Sequence, residues 1–73
     1  MQPEVREKIA GEVRAALARH RKTQRDLSAG VGIDQASLSK RLRGERSFRA
    51  EELAAIAVWL GEPASVFLEG VAA

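Results

Sequence analysis

The sequence predicts an all-α fold: five short helices joined by tight turns, in a single domain spanning residues 1–73. Three observations indicate this. The chain lacks the alternating polar and apolar residues, and the β-branched runs, that are typical of strands. Apolar residues recur at helical spacing instead, between residues that favour helix starts and stops. Because the 73 residues include no cysteine, packed helices rather than disulfides must stabilise the fold.

The first helix is predicted to begin near Pro3, because proline suits the first turn of a helix. Its apolar stripe has a period of four residues and consists of Val5, Ile9, Val13 and Leu17. The helix is predicted to end between His20 and Lys22. A histidine near this end complements the helix dipole, and the sequence offers no partner for a catalytic role.

The second helix has a start signal and a stop signal. Thr23 has the properties of an N-cap, and Asp26 three residues later completes an approximate capping box. A short helix is therefore predicted from Gln24 to about Val31. Gly32 follows it and can adopt the left-handed conformation that ends a helix.

The third helix is predicted over residues 35–43, capped by Asp34 and terminated by Gly44. Two short helices separated by a glycine are typical of a helix-turn-helix. At about 100° per residue, Leu38 and Leu42 of the third helix point into the core. The residues that point outward are Ala36, Ser37, Lys40 and Arg43.

A fourth helix is predicted over residues 50–60, with acids in its first turn where the dipole favours them. Arg49 precedes it and is a poor capping residue, since a cation at this end is unfavourable. Pro63 is predicted to start a fifth, short helical turn. Its apolar residues are Val66 and Phe67.

Length and composition argue against several functions. The longest apolar run, residues 53–60, contains eight residues, whereas a membrane span needs about 18 or more. The frequent charges near the N-terminus are unlike a signal peptide, so we expect a cytoplasmic protein without a membrane partner. A chain of this size provides few walls for a catalytic pocket, so we expect no enzyme, no catalytic residue, no metal and no cofactor.

The formal net charge of +2 hides an uneven distribution along the chain. Nine basic and three acidic residues between Arg19 and Arg49 give that segment a net charge of +6. From Ala50 onward there are four acids and no base. Such a layout suggests a surface that binds a polyanion, with nucleic acid as the first candidate. An ordinary solvated surface is the alternative interpretation.

The outward face of the third helix carries side chains that can recognise bases. Gln35 can pair with the edge of adenine, Lys40 with guanine, and Ala36 can contact the thymine methyl group. They lie in the N-terminal part of the helix, the end that enters the major groove deepest. A solvent-exposed helix face has a similar composition, so composition alone leaves both interpretations open.

Residues 23–46, TQRDLSAGVGIDQASLSKRLRGER, resemble the helix-turn-helix of the Cro and phage-repressor family, also called the XRE family. Residues 52–63, ELAAIAVWLGEP, are similar to the fourth helix of that family and the turn after it. The resemblance covers roughly residues 9–68 and implies a compact, lambda-repressor-like fold of five helices. It also implies a sequence-specific DNA-binding transcriptional regulator that acts as a repressor.

The resemblance implies roles for the matching positions. Those that would read bases are Gln35, Ala36, Ser37 and Lys40. Those that would contact the DNA backbone are Gln24, Arg25, Arg41, Arg43, Arg46 and Arg49. Gln24 would also brace the recognition helix. Arg41 stands where the family usually has an apolar residue, so it would either reach a phosphate or read a base.

Double-stranded DNA is the expected partner, bound by a homodimer on a (pseudo)palindromic operator. A patch formed by Trp59, Phe67 and Val71 is a candidate dimer contact. Two other functions stay open. One is an antitoxin-like protein that binds DNA secondarily, and the other is a protein-interaction module that uses this fold without DNA.

Overall fold

The computed structural model describes residues 3–72, which form five α-helices and one short 3-10 helix. These residues contain no strand, so the predicted all-α fold is confirmed. None of the helices they form is long and apolar enough to cross a membrane. The elements in chain order are α1 (Pro3–Arg19), α2 (Gln24–Val31), α3 (Gln35–Leu42), α4 (Ala50–Leu60), the 3-10 helix (Ala64–Leu68) and α5 (Glu69–Ala72).

The predicted starts of the first four helices are confirmed, and the differences lie at the C-terminal ends. Helix α1 ends at Arg19, just before the predicted range. Helix α3 ends at Leu42, one residue earlier than predicted, because Arg43 is its C-cap. The turn after Pro63 is a 3-10 helix, and the sequence did not predict the short α5 that follows it.

Side chains satisfy the first backbone N–H groups of α2 and α3. The Thr23 hydroxyl accepts from the Asp26 N–H at 3.0 Å, and the Asp26 carboxylate accepts from the Thr23 N–H at 2.9 Å. The predicted capping box is therefore present. At α3, the Asp34 carboxylate accepts from the Ser37 N–H at 2.9 Å. Both helices consequently begin at residues fixed by their own local sequence.

The C-terminal end of α3 is a tight turn closed by two backbone hydrogen bonds. The Gly44 N–H donates to the Arg41 carbonyl at 3.1 Å, and the Glu45 N–H donates to the Lys40 carbonyl at 3.0 Å. Gly44 has φ 78°, the left-handed conformation that this Schellman arrangement requires. A Cβ atom at this position would also lie 2.9 Å from Cγ of Glu7, so glycine allows α1 to approach closely.

The core is built from one face of each of the first four helices. Val13 of α1, Leu27 of α2, Leu38 of α3 and Ile56 of α4 are all fully buried. Phe67 of the 3-10 helix joins them with no exposed surface, because this helix packs against both α1 and α4. Helix α2 packs against α3 and α4, so the helix-turn-helix pair rests on the rest of the bundle.

Burial corrects the predicted dimer patch. Phe67 cannot contribute to an exposed surface, because its ring fills the core, and that part of the prediction is wrong. Val71 is partly buried and packs against the core, and Trp59 is also partly buried. Among the described residues, the large apolar side chains that do lie exposed are Val58 (82%) and Leu68 (44%).

Trp59 joins α4 to α2. Its indole lies so close to Gly30 that a Cβ atom there would be 2.4 Å from the indole Nε1. The ammonium group of Lys22 lies 5.6 Å from the centre of the ring, within the range of a cation–π contact. The tryptophan is therefore held within the molecule by contacts on two sides.

A cluster of charges joins the end of α1 to the turn after α4. Glu62 accepts from Arg19 at 3.0 Å, and its other oxygen lies 2.5 Å from the His20 Nε2. The hydrogen bond with His20, followed by that with Arg19, holds the pKa of the Glu62 carboxyl below its usual range. His20 thus has a structural partner 42 residues away in the chain.

Asp34 makes the stability of the fold depend on pH. The hydrogen bonds from Ser37 lower the pKa of the Asp34 carboxyl below its ordinary value of 3.8. Stability gained from a depressed carboxyl pKa is present above the unfolded pKa and is lost as the pH falls through the folded pKa. We expect Asp34→Asn, which keeps an oxygen acceptor for the cap, to retain most of the Tm at pH 7. Its Tm should fall less than that of the wild type between pH 5 and about 3.

Asp34→Ala is the matched comparison, because it removes the acceptor together with the charge and should lower the Tm already at pH 7. Thermal unfolding followed by circular dichroism across this pH range measures both effects. An Asp34→Asn protein with the same acid-dependent loss of Tm as the wild type would show that this carboxylate does not contribute to the pH dependence.

Candidate nucleic-acid interface

Helix α3 has one buried side and one exposed side. Leu38 and Leu42 are buried at 0% and 5% exposure, as the helical periodicity predicted. Gln35, Ala36 and Lys40 are exposed on the other side. The outer surface of α3 therefore presents an amide, a methyl group and an ammonium group to solvent, fixed by the burial of the two leucines.

Ser37, the fourth predicted base-reading residue, differs from the other three. It is half-buried, and its N–H group donates to the Asp34 cap. Its position in the first turn of α3 nevertheless keeps it beside Ala36, at the capped end of the helix.

Two side chains of α2 connect it to α3 and to the turn between them. The Gln24 amide lies 3.5 Å from the Gln35 carbonyl oxygen, a long hydrogen bond between the first residues of the two helices. The Ser28 hydroxyl donates to the Ile33 carbonyl at 2.5 Å and so satisfies a backbone group in the turn. The first contact places Gln24 beside the start of α3, and the second joins the middle of α2 to the turn before α3.

Four cations of α2, α3 and residues 43–49 are not ion-paired in this part of the structure. Within residues 3–72 no carboxylate forms an ion pair with them. All four are exposed, and they lie on α2, on α3 and in the segment between α3 and α4. They are Arg25, Lys40, Arg46 and Arg49.

Arg43 is also exposed but has partners. Its Nε donates to one oxygen of Glu45 at 2.6 Å, and a terminal nitrogen donates to the other oxygen at 3.3 Å. The remaining terminal nitrogen donates to the Ser39 hydroxyl at 2.5 Å. The hydrogen bond from Arg43 lowers the pKa of the Glu45 carboxyl, which keeps the pair ionised.

Arg41 lies on the inner side of α3, apart from the exposed cations. Its side chain is 11% exposed, and its Nε donates to a Glu52 oxygen at 3.1 Å. The same oxygen accepts from the Arg49 N–H at 2.8 Å. Glu52 thus binds a buried arginine of α3 and at the same time satisfies a backbone group at the start of α4. With its Nε bonded to Glu52, Arg41 connects α3 to α4 and does not extend from the exposed face of α3.

Two arginines of α1 bind the last carbonyl groups of the α3 end. A terminal nitrogen of Arg14 donates to the Leu42 carbonyl, and the Arg6 Nε donates to the Gly44 carbonyl at 3.1 Å. The final carbonyls of a helix lack partners within it and carry the negative end of the helix dipole. Each arginine donates a hydrogen bond to such a carbonyl and brings a positive charge to the negative end of the dipole. Helix α3 is therefore held at its C-terminal end as well as at its N-terminal cap.

Sequence reasoning missed three residues that position α3: Arg6, Arg14 and Glu52. The two arginines belong to a segment with equal numbers of bases and acids, so charge counting gave no signal for them. For the acid, its place in the first turn of α4 indicates a partner of the helix dipole. A signal did exist for it, because a buried Arg41 requires a carboxylate, and Glu52 occupies the third helical position after a residue that cannot cap.

A family model described as helix-turn-helix matches residues 13–67 of the chain. The chain belongs to this helix-turn-helix family. The resemblance to the XRE family is thereby confirmed, and with it the assignment of the protein as a DNA-binding regulator. No curated protein matches the chain.

In a helix-turn-helix protein, the second helix of the motif lies in the major groove. The two helices of the motif are α2 and α3 here, and the matched residues include both of them entirely. The exposed face of α3 and the four unpaired cations therefore form the candidate interface. No group of histidine and acidic residues within residues 3–72 could hold a metal ion.

The ion pair between Arg41 and Glu52 should contribute strongly to stability. We expect Glu52→Gln to lower the free energy of unfolding by about 2 to 4 kcal/mol, because it leaves a mostly buried guanidinium without a counter-charge. The glutamine oxygen can still accept from the Arg49 N–H, so the change isolates the charge from the cap. Urea denaturation measures the effect.

Glu51→Gln is the matched control, since it removes an exposed acid from the same turn and should change stability by less than about 0.5 kcal/mol. The double variant Arg41→Met with Glu52→Gln should recover most of the loss, because it removes the buried charge and keeps the acceptor for the Arg49 N–H. Equal effects of Glu52→Gln and Glu51→Gln would contradict a structural role for the pair.

Proposed function

We propose that this helix-turn-helix protein is a sequence-specific repressor that reads the major groove of DNA with α3. The observation that supports this most is the division of α3 into a buried leucine side and an exposed polar side, with both helix ends fixed. A helix held in this way presents its side chains to a ligand without first having to be ordered.

Base recognition follows from the exposed side of α3. The Gln35 amide can form two hydrogen bonds with adenine, and the Lys40 ammonium can donate to the O6 and N7 atoms of guanine. The Ala36 methyl group can contact the methyl group of thymine. The Ser37 hydroxyl both donates and accepts, so it can bond to the edge of more than one base. The order of these residues along α3 sets the order in which the bases would be read.

Phosphate contacts would surround the recognition helix. The cations available for them are exposed and lie on α2 and in the segment between α3 and α4: Arg25, Arg43, Arg46 and Arg49. Gln24 would bind a phosphate at the start of α2, where backbone N–H groups and the helix dipole favour an anion. Contacts of this kind set the register and orientation on the duplex, whereas base contacts determine the sequence.

A homodimer on a (pseudo)palindromic operator would supply the length of sequence that one α3 lacks. The eight residues of α3 extend over about 12 Å, which corresponds to about four base pairs. Two copies with half-sites about 34 Å apart would read twice as many. A protein that occupies a promoter in this way blocks transcription without further chemistry, which supports repression as the outcome.

The alternative of a module whose main partner is a protein is favoured by one observation, the exposed Val58 beside Trp59 in an open groove between α2 and α4. Salt dependence separates the two functions. DNA binding that weakens steeply with salt supports the repressor, and its absence on every duplex supports the protein partner.

Gln35→Ala tests base reading on a duplex first selected from random DNA at a stated salt concentration. We expect a loss of about 1–3 kcal/mol in binding free energy on the selected duplex and a relaxed preference at one base pair. The contact from Gln24 uses the backbone of residue 35, so it is retained. Ser65→Ala, an exposed change in the 3-10 helix, is the control. An unchanged ratio of selected to random affinity would contradict the role of Gln35.

Arg46→Ala tests phosphate binding. We expect weaker binding to all sequences alike and a slope of log K against log salt that is smaller by about one, because one fewer phosphate is neutralised. Arg46→Lys keeps the charge and should keep the slope. Filter binding at several salt concentrations measures both, and an Arg46→Ala slope equal to that of the wild type would exclude this contact.

A further inference from the structure

Glu45 is an acid in a segment that otherwise carries only bases. It is the only acidic residue between Asp34 and Glu51. The bases of that segment are Lys40, Arg41, Arg43, Arg46 and Arg49. Because a carboxylate repels phosphates, its position among the proposed DNA contacts calls for a physical explanation.

The geometry of the pair with Arg43 supplies one. The carboxylate accepts from the Nε edge of the guanidinium through both oxygens, at 2.6 Å and 3.3 Å. Two neighbouring oxygens of a phosphate group can bind the same edge in the same bidentate way. Glu45 therefore occupies the edge of Arg43 on which a phosphate would bind.

The pair is fixed in position and yet open to solvent. The backbone of Glu45 is held in the turn after α3 by its hydrogen bond to the Lys40 carbonyl, and the Ser39 hydroxyl holds the far side of the guanidinium. The side chains of Arg43 and Glu45 are 55% and 56% exposed. A ligand from solvent can consequently reach the guanidinium without any change in the backbone.

We propose that Glu45 is a detachable counter-ion, which occupies the phosphate-binding edge of Arg43 in the free protein and is displaced by a DNA phosphate in the complex. This inference rests on the proposed function. Each binding event must break the ion pair and leave the carboxylate beside the phosphates. Glu45 therefore lowers the affinity for every DNA sequence by the same factor, because a phosphate contact carries no sequence information.

The experiment compares Glu45→Gln with the wild type on the selected duplex and on random DNA at one salt concentration. We expect the affinity for both duplexes to rise about 3- to 10-fold, since an exposed ion pair and an exposed repulsion each correspond to a factor of up to about five. The ratio of the two affinities should stay the same. Glu69→Gln changes the net charge equally at an exposed position on α5 and should raise the affinity less than twofold.

Introducing Glu45→Gln into an Arg43→Gln protein tests whether DNA binding displaces Glu45 from Arg43. In that background there is no ion pair to break, so Glu45→Gln should raise the affinity by a smaller factor than in the wild type. An equal gain in both backgrounds would show that Glu45 acts only by repulsion through space, and would overturn the proposal.

Three further results would overturn it. A changed ratio of selected to random affinity would mean that Glu45 reads a base, as a carboxylate can by accepting from cytosine. Unchanged affinities would place Glu45 away from the DNA. A wild-type protein without salt-dependent DNA binding would overturn the proposed function as well, whereas the other outcomes leave that function intact.

Discussion

The ion pair between Arg41 and Glu52 is the interaction on which the position of α3 most depends. A guanidinium that is 11% exposed is costly unless a carboxylate lies against it, so α3 can pack only where Glu52 is within reach. Glu52 lies in the first turn of α4, and the pair therefore fixes the start of α4 relative to the end of α3. The path of residues 43–49 between them follows from this constraint. The same carboxylate oxygen also accepts from the Arg49 N–H, and so satisfies a backbone donor at the start of α4.

The charges of the chain consequently serve two separate purposes. Arg6, Arg14 and Arg41 bind acceptors within the protein and hold α3 at its C-terminal end and along its inner side. The net charge of +6 between residues 19 and 49 therefore overstates the charge available to a ligand, since it includes Arg19 and Arg41, whose acidic partners Glu62 and Glu52 lie outside that segment. Among the described residues of that segment, six cations form no ion pair, and four of these six lie on α2, on α3 or in residues 43–49.

Local signals in the sequence were sufficient for most of the fold. Thr23 and Asp34 set the starts of α2 and α3 through hydrogen bonds that reach only three residues along the chain, which is why these boundaries were predictable. The exposed face of α3 followed from the position of Leu38 and the helical period. Contacts between distant residues were not predictable when charge counting gave no signal: Arg6 binds a carbonyl 38 residues away, and Arg14 binds a carbonyl 28 residues away. A helical wheel places such a side chain on a face of its helix but does not say what lies opposite.

The same limit explains the error at Phe67. Its sequence position after Pro63 indicated a helical turn, but whether the ring faces solvent or core depends on how that turn packs against α1 and α4.

Trp59, the other aromatic residue of the predicted dimer patch, connects two helices within the protein. Its indole packs against Gly30, where a side chain would not fit, and lies beneath the ammonium group of Lys22. The contact with Gly30 joins α4 to α2. Trp59 joins α2 to α4, and hydrogen bonds from arginines join α3 to α1 and α4. Neither helix of the motif can therefore shift relative to the bundle without breaking these contacts. The exposed face of α3 then has one geometry relative to the cations around it, and that is the condition under which a small protein can recognise a base sequence rather than only the charge of DNA.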